Sequence, residues 1–193
     1  YHQLPNGNLS INYECLEQWY VLAYPAFQLA DRNLNDWWSR GHDFDRAIYG
    51  LRFLHNNFMG RNEKVVIKAE TGFTDKLELS YQNPYLDPQK TLGMTLSLAY
   101  STQKNLAYKT NQDTLTYLES DVILGEKWTG AIQFRKRFRF YDFQTLELRY
   151  NHAVIADKIA QLNPDYFGKG KTEQNYTQVR YGFSYDFRDF VTY

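Results

Sequence analysis

The chain has little with which to build several familiar kinds of protein. Cys15 is its one cysteine, so neither a disulfide framework nor a cysteine-rich zinc site is available. Neither sign of charge is in excess: Lys and Arg total 22 and Asp and Glu total 22. Without a basic excess or a basic block, the electrostatic footprint of a nucleic-acid binder is missing. No apolar run approaches the ~18 residues that a membrane-crossing helix needs. His2, His42, His55 and His152 are scattered, and no H-E-x-x-H, G-x-S-x-G or phosphate-loop pattern occurs. No enzyme is therefore expected, with no catalytic residue, metal site or cofactor. The sequence starts at Tyr1 with neither an initiator Met nor a signal peptide, so a processed or excised piece is expected.

Aromatic side chains are plentiful instead, at 18% of the chain with Tyr 17 and Phe 13, more than an ordinary core requires. They fall in runs of period two, the signature of strands. In "TLGMTLSLAYS" the residues Leu92, Met94, Leu96, Leu98 and Tyr100 share one side, opposite Gly93, Thr95, Ser97, Ala99 and Ser101. "KVVIKAETGF" and "KLELSYQ" alternate likewise, and the tight Thr74-Asp75 link makes them a hairpin. "WTGAIQF", "LELRYNHAV" and "TQVRYGFSYDF" continue the pattern, and "WYVLAYPAFQLA" and "DRAIYGLRFLH" precede it. Eight strands are predicted.

Connections bear on which way this sheet faces. The links "DRNLNDWWSRGHD", "STQKNLAYKTNQDTLTYLESD" and "DKIAQLNPDYFGKGKTEQ" are long, and each follows an odd strand. In an up-and-down meander they share one end, while "NNFMGRNE", "NPYLDPQK" and "FYD" share the other, as in transmembrane barrels; "TD" is the short exception. The long links around Asn111 and Gly168 are then expected outside the cell, with Pro84 and Tyr141 near the periplasm. Trp19, Tyr49, Phe73, Tyr81, Tyr100, Trp128 and Phe187 are candidates for interface girdles. Lys68, Glu70, Glu78, Arg135, Glu147, Arg149 and Arg180 are expected to line the lumen and pair there. A soluble lipocalin-like barrel or sandwich needs the same alternation and stays open, although its outside must be polar all round. The mean hydropathy of -0.64 decides nothing, since loops and lumen dominate such an average.

Other features have plain readings. "HDFDR" lies in a polar loop and reads as solvated surface rather than a metal or acid-base site. Glu70 and Glu78 read as ion-pair partners, with Lys68 and Arg149 as neighbours, rather than general acids. Trp37 and Trp38 read as packing residues, with loop anchoring or a partner contact as the alternative. The sequons "NLS" and "NYT" carry little weight by themselves.

The runs "WYVLAYPAFQLADRNLNDWW", "YGLRFLHNNFMGRNE", "TGFTDKLELSYQNPYL" and "YDFRDFVTY" resemble the barrel domain of the bacterial surface-antigen superfamily of outer-membrane assembly factors. The likeness covers about Gly7 to Tyr193 and is to the BamA-like and TamA-like members, in their Bacteroidetes form. It rests on an ordered set: Pro25 in a first strand leading into Asp31, Arg32 and Asn33, the Asn57 to Gly60 link, Gly72-Phe73, Asn83-Pro84-Tyr85, and Asp186 to Asp189. The resemblance implies an all-β, antiparallel up-and-down transmembrane β-barrel in the bacterial outer membrane, with about eight strands present as half of a sixteen-stranded barrel. Residues 1–18, with "GNLSINYECLEQWY" running into the first strand, are similar to the end of a periplasmic POTRA-like domain or to a barrel entry, and residues 19–193 are expected to form the outer-membrane β-barrel segment. The family's Val-Arg-Gly-Phe type motif is missing here, as truncation or divergence would make it.

The implied function is assembly, insertion or translocation of outer-membrane proteins, in which a first strand at the barrel seam templates incoming strands. The candidate seam strand is Tyr20, Val21, Leu22, Ala23, Tyr24, Pro25, Ala26, Phe27, Gln28 and Leu29. Pro25, without an N–H, suits a seam and suits any edge strand equally. Implied partners are outer-membrane lipid, unfolded outer-membrane protein substrates and accessory lipoproteins, without nucleic acid. Two alternatives stay open: a passive eight-stranded outer-membrane barrel, structural or adhesive, and a soluble lipocalin-like ligand-binding barrel.

Overall fold

The structure is a computed structural model and describes residues 2–3, 9–10, 14–15, 19–30, 34–39 and 44–187. A short pair, β1 (His2–Gln3) and β2 (Leu9–Ser10), precedes the main sheet. The main sheet begins with β3 (Val21–Leu29), which a short helix α1 (Leu34–Ser39) and a 3-10 turn at Phe44–Arg46 separate from β4 (Ala47–Asn56). Then come β5 (Lys64–Gly72), β6 (Asp75–Asn83) and β7 (Leu92–Gln103). A small hairpin follows, β8 (Asn105–Asn111) with β9 (Thr114–Glu119). The chain ends with β10 (Gly125–Arg137), β11 (Asp142–Ile155), the helix α2 (Asp157–Leu162) and β12 (Glu173–Tyr185).

Eight strands form one sheet in the order β12-β11-β10-β7-β6-β5-β4-β3, every neighbour antiparallel. This is the up-and-down meander expected from the alternation, all-β apart from short helices in the links. The sheet is not closed: β3 and β12 are its two edges and do not pair with each other. No described helix is long and apolar enough to cross a membrane, which says nothing about strands.

Register sorts the side chains onto two unlike faces, because directly opposed residues point the same way. One row across the sheet reads Phe53, Ile67, Leu79, Leu98, Gly130 and Tyr150, each opposite the next. Shift by a single residue and the row reads Arg52, Lys68, Glu78, Ala99, Thr129 and Asn151. Charges on the apolar face are confined to the strand ends, as at Asp75, Glu126, Lys136, Asp142 and Glu173. Nothing described covers this face: Leu98 is 61% exposed and Val179 70%. In water each such side chain forgoes about 1.5–3 kcal/mol of burial, a penalty that lipid removes.

The links sort by length as expected. The β3–β4, β7–β10 and β11–β12 links share one end of the sheet with the tight β5–β6 turn, and the other three turns share the opposite end. Gly72 enters the tight turn with φ at 113°, where a Cβ would run into the Ala47 carbonyl.

The long links carry more structure than expected of polar loops. The β8–β9 hairpin turns through Gln112 and Asp113, both at positive φ, the two-residue arrangement that matches strand twist. Leu106, Leu124, Ile155, Ile159 and Ala160 are buried together, with Tyr108, Tyr166 and Phe167 packed around them. The Leu124 N–H donates to the Gln103 carbonyl at 2.8 Å, the Ala156 N–H to the Leu124 carbonyl at 2.9 Å, and Asn163 Nδ2 to the Tyr108 carbonyl at 2.6 Å. Burial holds the Tyr166 phenol above its ordinary pKa. A second contact draws three links together: the Arg46 guanidinium lies 5.2 Å from the Phe73 ring centre and 5.1 Å from that of Tyr117. These links therefore build a packed cap on one end of the sheet.

The cap corrects one girdle residue. Phe73 is 8% exposed, enclosed by Arg46 and Tyr117, and not at an interface. The other expected aromatics are better placed. Tyr100 and Trp128 stand opposite each other with ring centres 4.4 Å apart near the capped end, and Phe27 and Tyr49 pair at 5.6 Å at the same end, with β5 and β6 between the two pairs. At the other end Phe187 meets Tyr141 at 4.8 Å and Tyr185 at 4.4 Å.

Candidate functional site

The expected seam strand lies at an edge of the sheet. β3 covers Val21–Leu29 and pairs along its whole length with β4, from Val21 opposite His55 to Leu29 opposite Ala47. Tyr20 extends the pairing by one residue, accepting the Asn56 N–H at 2.7 Å. At the far end the Ala30 N–H donates to the Arg46 carbonyl at 2.8 Å.

Those two bonds fix which backbone groups are free. In an antiparallel ladder, alternate residues direct both N–H and C=O toward the same neighbour. Tyr20 and Ala30 bond toward β4, so Leu22, Tyr24, Ala26 and Gln28 do too. Val21, Ala23, Pro25, Phe27 and Leu29 then turn their backbone groups to the open edge. Pro25, opposite Leu51, therefore removes no bond from the β3–β4 ladder. Its missing N–H belongs to the free side, the position where an edge proline is tolerated. The same residues put their side chains on the apolar face.

β12 mirrors this arrangement at the other edge. The Ile155 N–H donates to the Thr172 carbonyl at 2.8 Å, and the Asp186 N–H to the Tyr141 carbonyl at 3.3 Å, so even-numbered residues of β12 face β11. Val179, Tyr181, Phe183 and their odd-numbered neighbours present free backbone groups. This edge keeps every donor.

On the charged face β3 contributes Tyr24, whose ring centre lies 5.7 Å from the Arg52 guanidinium directly across. Lys68 donates to Glu78 at 3.0 Å and Lys76 donates to the same carboxylate at 2.7 Å. Arg149 donates to Glu147 at 2.8 Å, with Arg180 at 3.9 Å from it. Lumen-type ion pairing is thus present among these residues, but Arg149 serves Glu147 and not Glu70 or Glu78.

Beneath β3, at the short-turn end, Trp19 and Tyr20 line a cavity of about 960 Å³ together with Arg61, Lys64, Tyr85 and Lys90. Two carboxylates that sequence reasoning passed over build its turns. Glu63 is fully buried, receiving Arg61 at 2.9 Å, the Tyr81 hydroxyl at 2.9 Å and Asn83 Nδ2 at 3.4 Å. Its phase with Val65 was the available signal, since alternation puts it at the margin of the apolar face. Asp87 accepts the backbone N–H groups of Thr91 at 2.8 Å and Leu92 at 2.7 Å and the Thr91 hydroxyl at 2.6 Å. The Thr91 hydroxyl and the Leu92 N–H chiefly hold its carboxyl down at about 2.

Of the polar cluster "HDFDR", His42 and Asp43 lie outside the described residues, and Phe44–Arg46 form the 3-10 turn. Most of residues 1–18 and the end of the chain after Phe187 also lie outside them, so the POTRA-like reading of the former and the Asp189 part of the resemblance are not described.

A sheet whose uncovered face is apolar, whose other face carries the ion pairs, and whose edges are open is the wall of a membrane β-barrel. Residues 57–192 match the Omp85 superfamily domain, and the chain belongs to the Omp85 superfamily, outer-membrane barrels that insert or translocate proteins and are not enzymes. The match begins just after β4, so β3 precedes it. No curated protein and no solved structure matches the chain.

Proposed function

We propose that this chain is half of a sixteen-stranded barrel of the Bacteroidetes type, and that β3 is a seam strand which templates incoming outer-membrane protein strands. The observation that carries this reading is the free edge of β3. In hydrocarbon each unsatisfied backbone group costs several kcal/mol, so those of Val21, Ala23, Phe27 and Leu29 need a partner. A closing strand from the missing half supplies one, and an arriving substrate strand competes for the same groups. The gap at Pro25 weakens closure at one point without weakening β3 itself. Residues 1–18 then lead in from a periplasmic POTRA-like domain, the capped end faces the cell exterior, and accessory lipoproteins reach the short-turn end. Pairing requires no nucleotide hydrolysis.

The test is photo-crosslinking in the full-length protein during export of a barrel substrate. A crosslinker at Ala23, on the free edge, is expected to capture substrate, and one at Leu51, on the neighbouring strand β4, is not. Equal capture at both positions, or at neither, would remove the templating role.

A further inference from the structure

The charged face holds nine cations and three carboxylates, although the whole chain is neutral. Arg52, Lys64, Lys68 and Lys76 stand on the β4–β6 side, and Lys127, Arg135, Arg137, Arg149 and Arg180 on the β10–β12 side. Glu70, Glu78 and Glu147 are the acids. Glu78 is shared by two lysines and Glu147 by two arginines, so each cluster keeps a net positive charge.

Three of the five remaining cations are seated in a different way. Arg52 lies over Tyr24 at 5.7 Å, Lys127 over Tyr176 at 5.9 Å, and Arg135 over Phe143 at 4.1 Å. All six residues are on the charged face, by the same register that sorts the rows above. A ring attracts a cation through its quadrupole and fixes the side chain against the wall, but it neutralises none of the charge, as a carboxylate would. The wall holds these three cations in place and leaves them positive.

We infer that the charged face lines an anion-selective passage: the lumen it bounds draws anions in and repels cations. The inference rests on the reading of this sheet as part of a membrane-spanning barrel. A confined channel with low-dielectric walls of one sign concentrates the opposite ion, and rings of Lys and Arg select for anions. Retained charge on both sides of β7 spreads the bias across the part of the wall that this sheet forms.

The experiment uses the full-length protein reconstituted into planar bilayers under a steep KCl gradient. K⁺ and Cl⁻ move almost equally fast in water, so the sign of the zero-current potential reads the wall. A potential of the chloride-selective sign is expected. The triple variant Arg52→Gln, Lys127→Gln, Arg135→Gln touches no ion pair described here and is expected to move that potential toward zero, with insertion checked by heat-modifiable gel migration. A potassium-selective or null potential in the parent overturns the inference, as does an unchanged potential in the inserted triple variant. Inserted protein that passes no current overturns the inference and leaves the membrane reading standing, whereas protein that never inserts removes the membrane reading as well.

Discussion

Lys68 donates to Glu78 at 3.0 Å directly across the β5–β6 ladder, and one residue along, Ile67 faces Leu79 on the other side of the same two strands. An ion pair and an aliphatic pair share adjacent backbone. Nothing about the strands differs at the two positions except the face, so the faces must meet different surroundings.

Substitution reads that difference. Leu79→Lys places a charge on the apolar face and is expected to cost about 2–4 kcal/mol if the position lies near the bilayer midplane. Ser80→Lys, one residue away on the charged face, is expected to fold nearly as well as the parent. Urea titration in liposomes compares them, and equal destabilisation would contradict the face assignment.

The two edges of the sheet are expected to stay apart. β3 and β12 are separated by the six other strands and do not pair, so Ala23→Cys combined with Tyr181→Cys is expected to give no intramolecular disulfide in the full-length protein. Efficient monomeric crosslinking would mean that the eight strands close on themselves, and would favour the passive small barrel over the half-barrel.

The cap is expected to lose stability independently of the barrel. Ile159 is fully buried in it, and Ile159→Ala should cost about 2–5 kcal/mol by the usual cavity and transfer terms. Because the cap meets the main sheet only at strand ends such as Ile155, the loss is expected as faster proteolysis around residues 156–172 with heat-modifiable migration unchanged. If migration of the barrel is lost as well, the cap and the sheet form one cooperative unit.

Acid is expected to release the β6–β7 turn. The Asp87 carboxyl is held at about 2 against an ordinary 3.8, so its stabilising effect is complete above about 4 and disappears as pH falls through 2. Exchange of the Thr91 and Leu92 amides, both bonded to Asp87, should quicken across that window once base catalysis is factored out. Asp87→Asn, which cannot titrate, is expected to abolish the pH-dependent step.

The sequence by itself determined the eight strands of the main sheet, their two faces and the grouping of long links at one end, but not the β8–β9 hairpin inside one of those links. Each of these follows from local alternation: a residue's side is set by its parity within the strand, and Leu96 or Val179 can be assigned without knowing its neighbours. It also placed the first strand of the main sheet to within one residue. Tertiary structure decided what depends on neighbours distant in the chain. Whether Arg149 meets Glu147 or Glu78, whether Pro25 opens its gap toward β4 or toward the free edge, and whether Phe73 reaches an interface or a cap all depend on register, and a shift of one residue reverses every such answer. The buried cluster of the cap, joining Leu106 to Ile159, was hidden for a related reason: its members come from separate polar links, and none of those links is apolar enough to announce a core on its own.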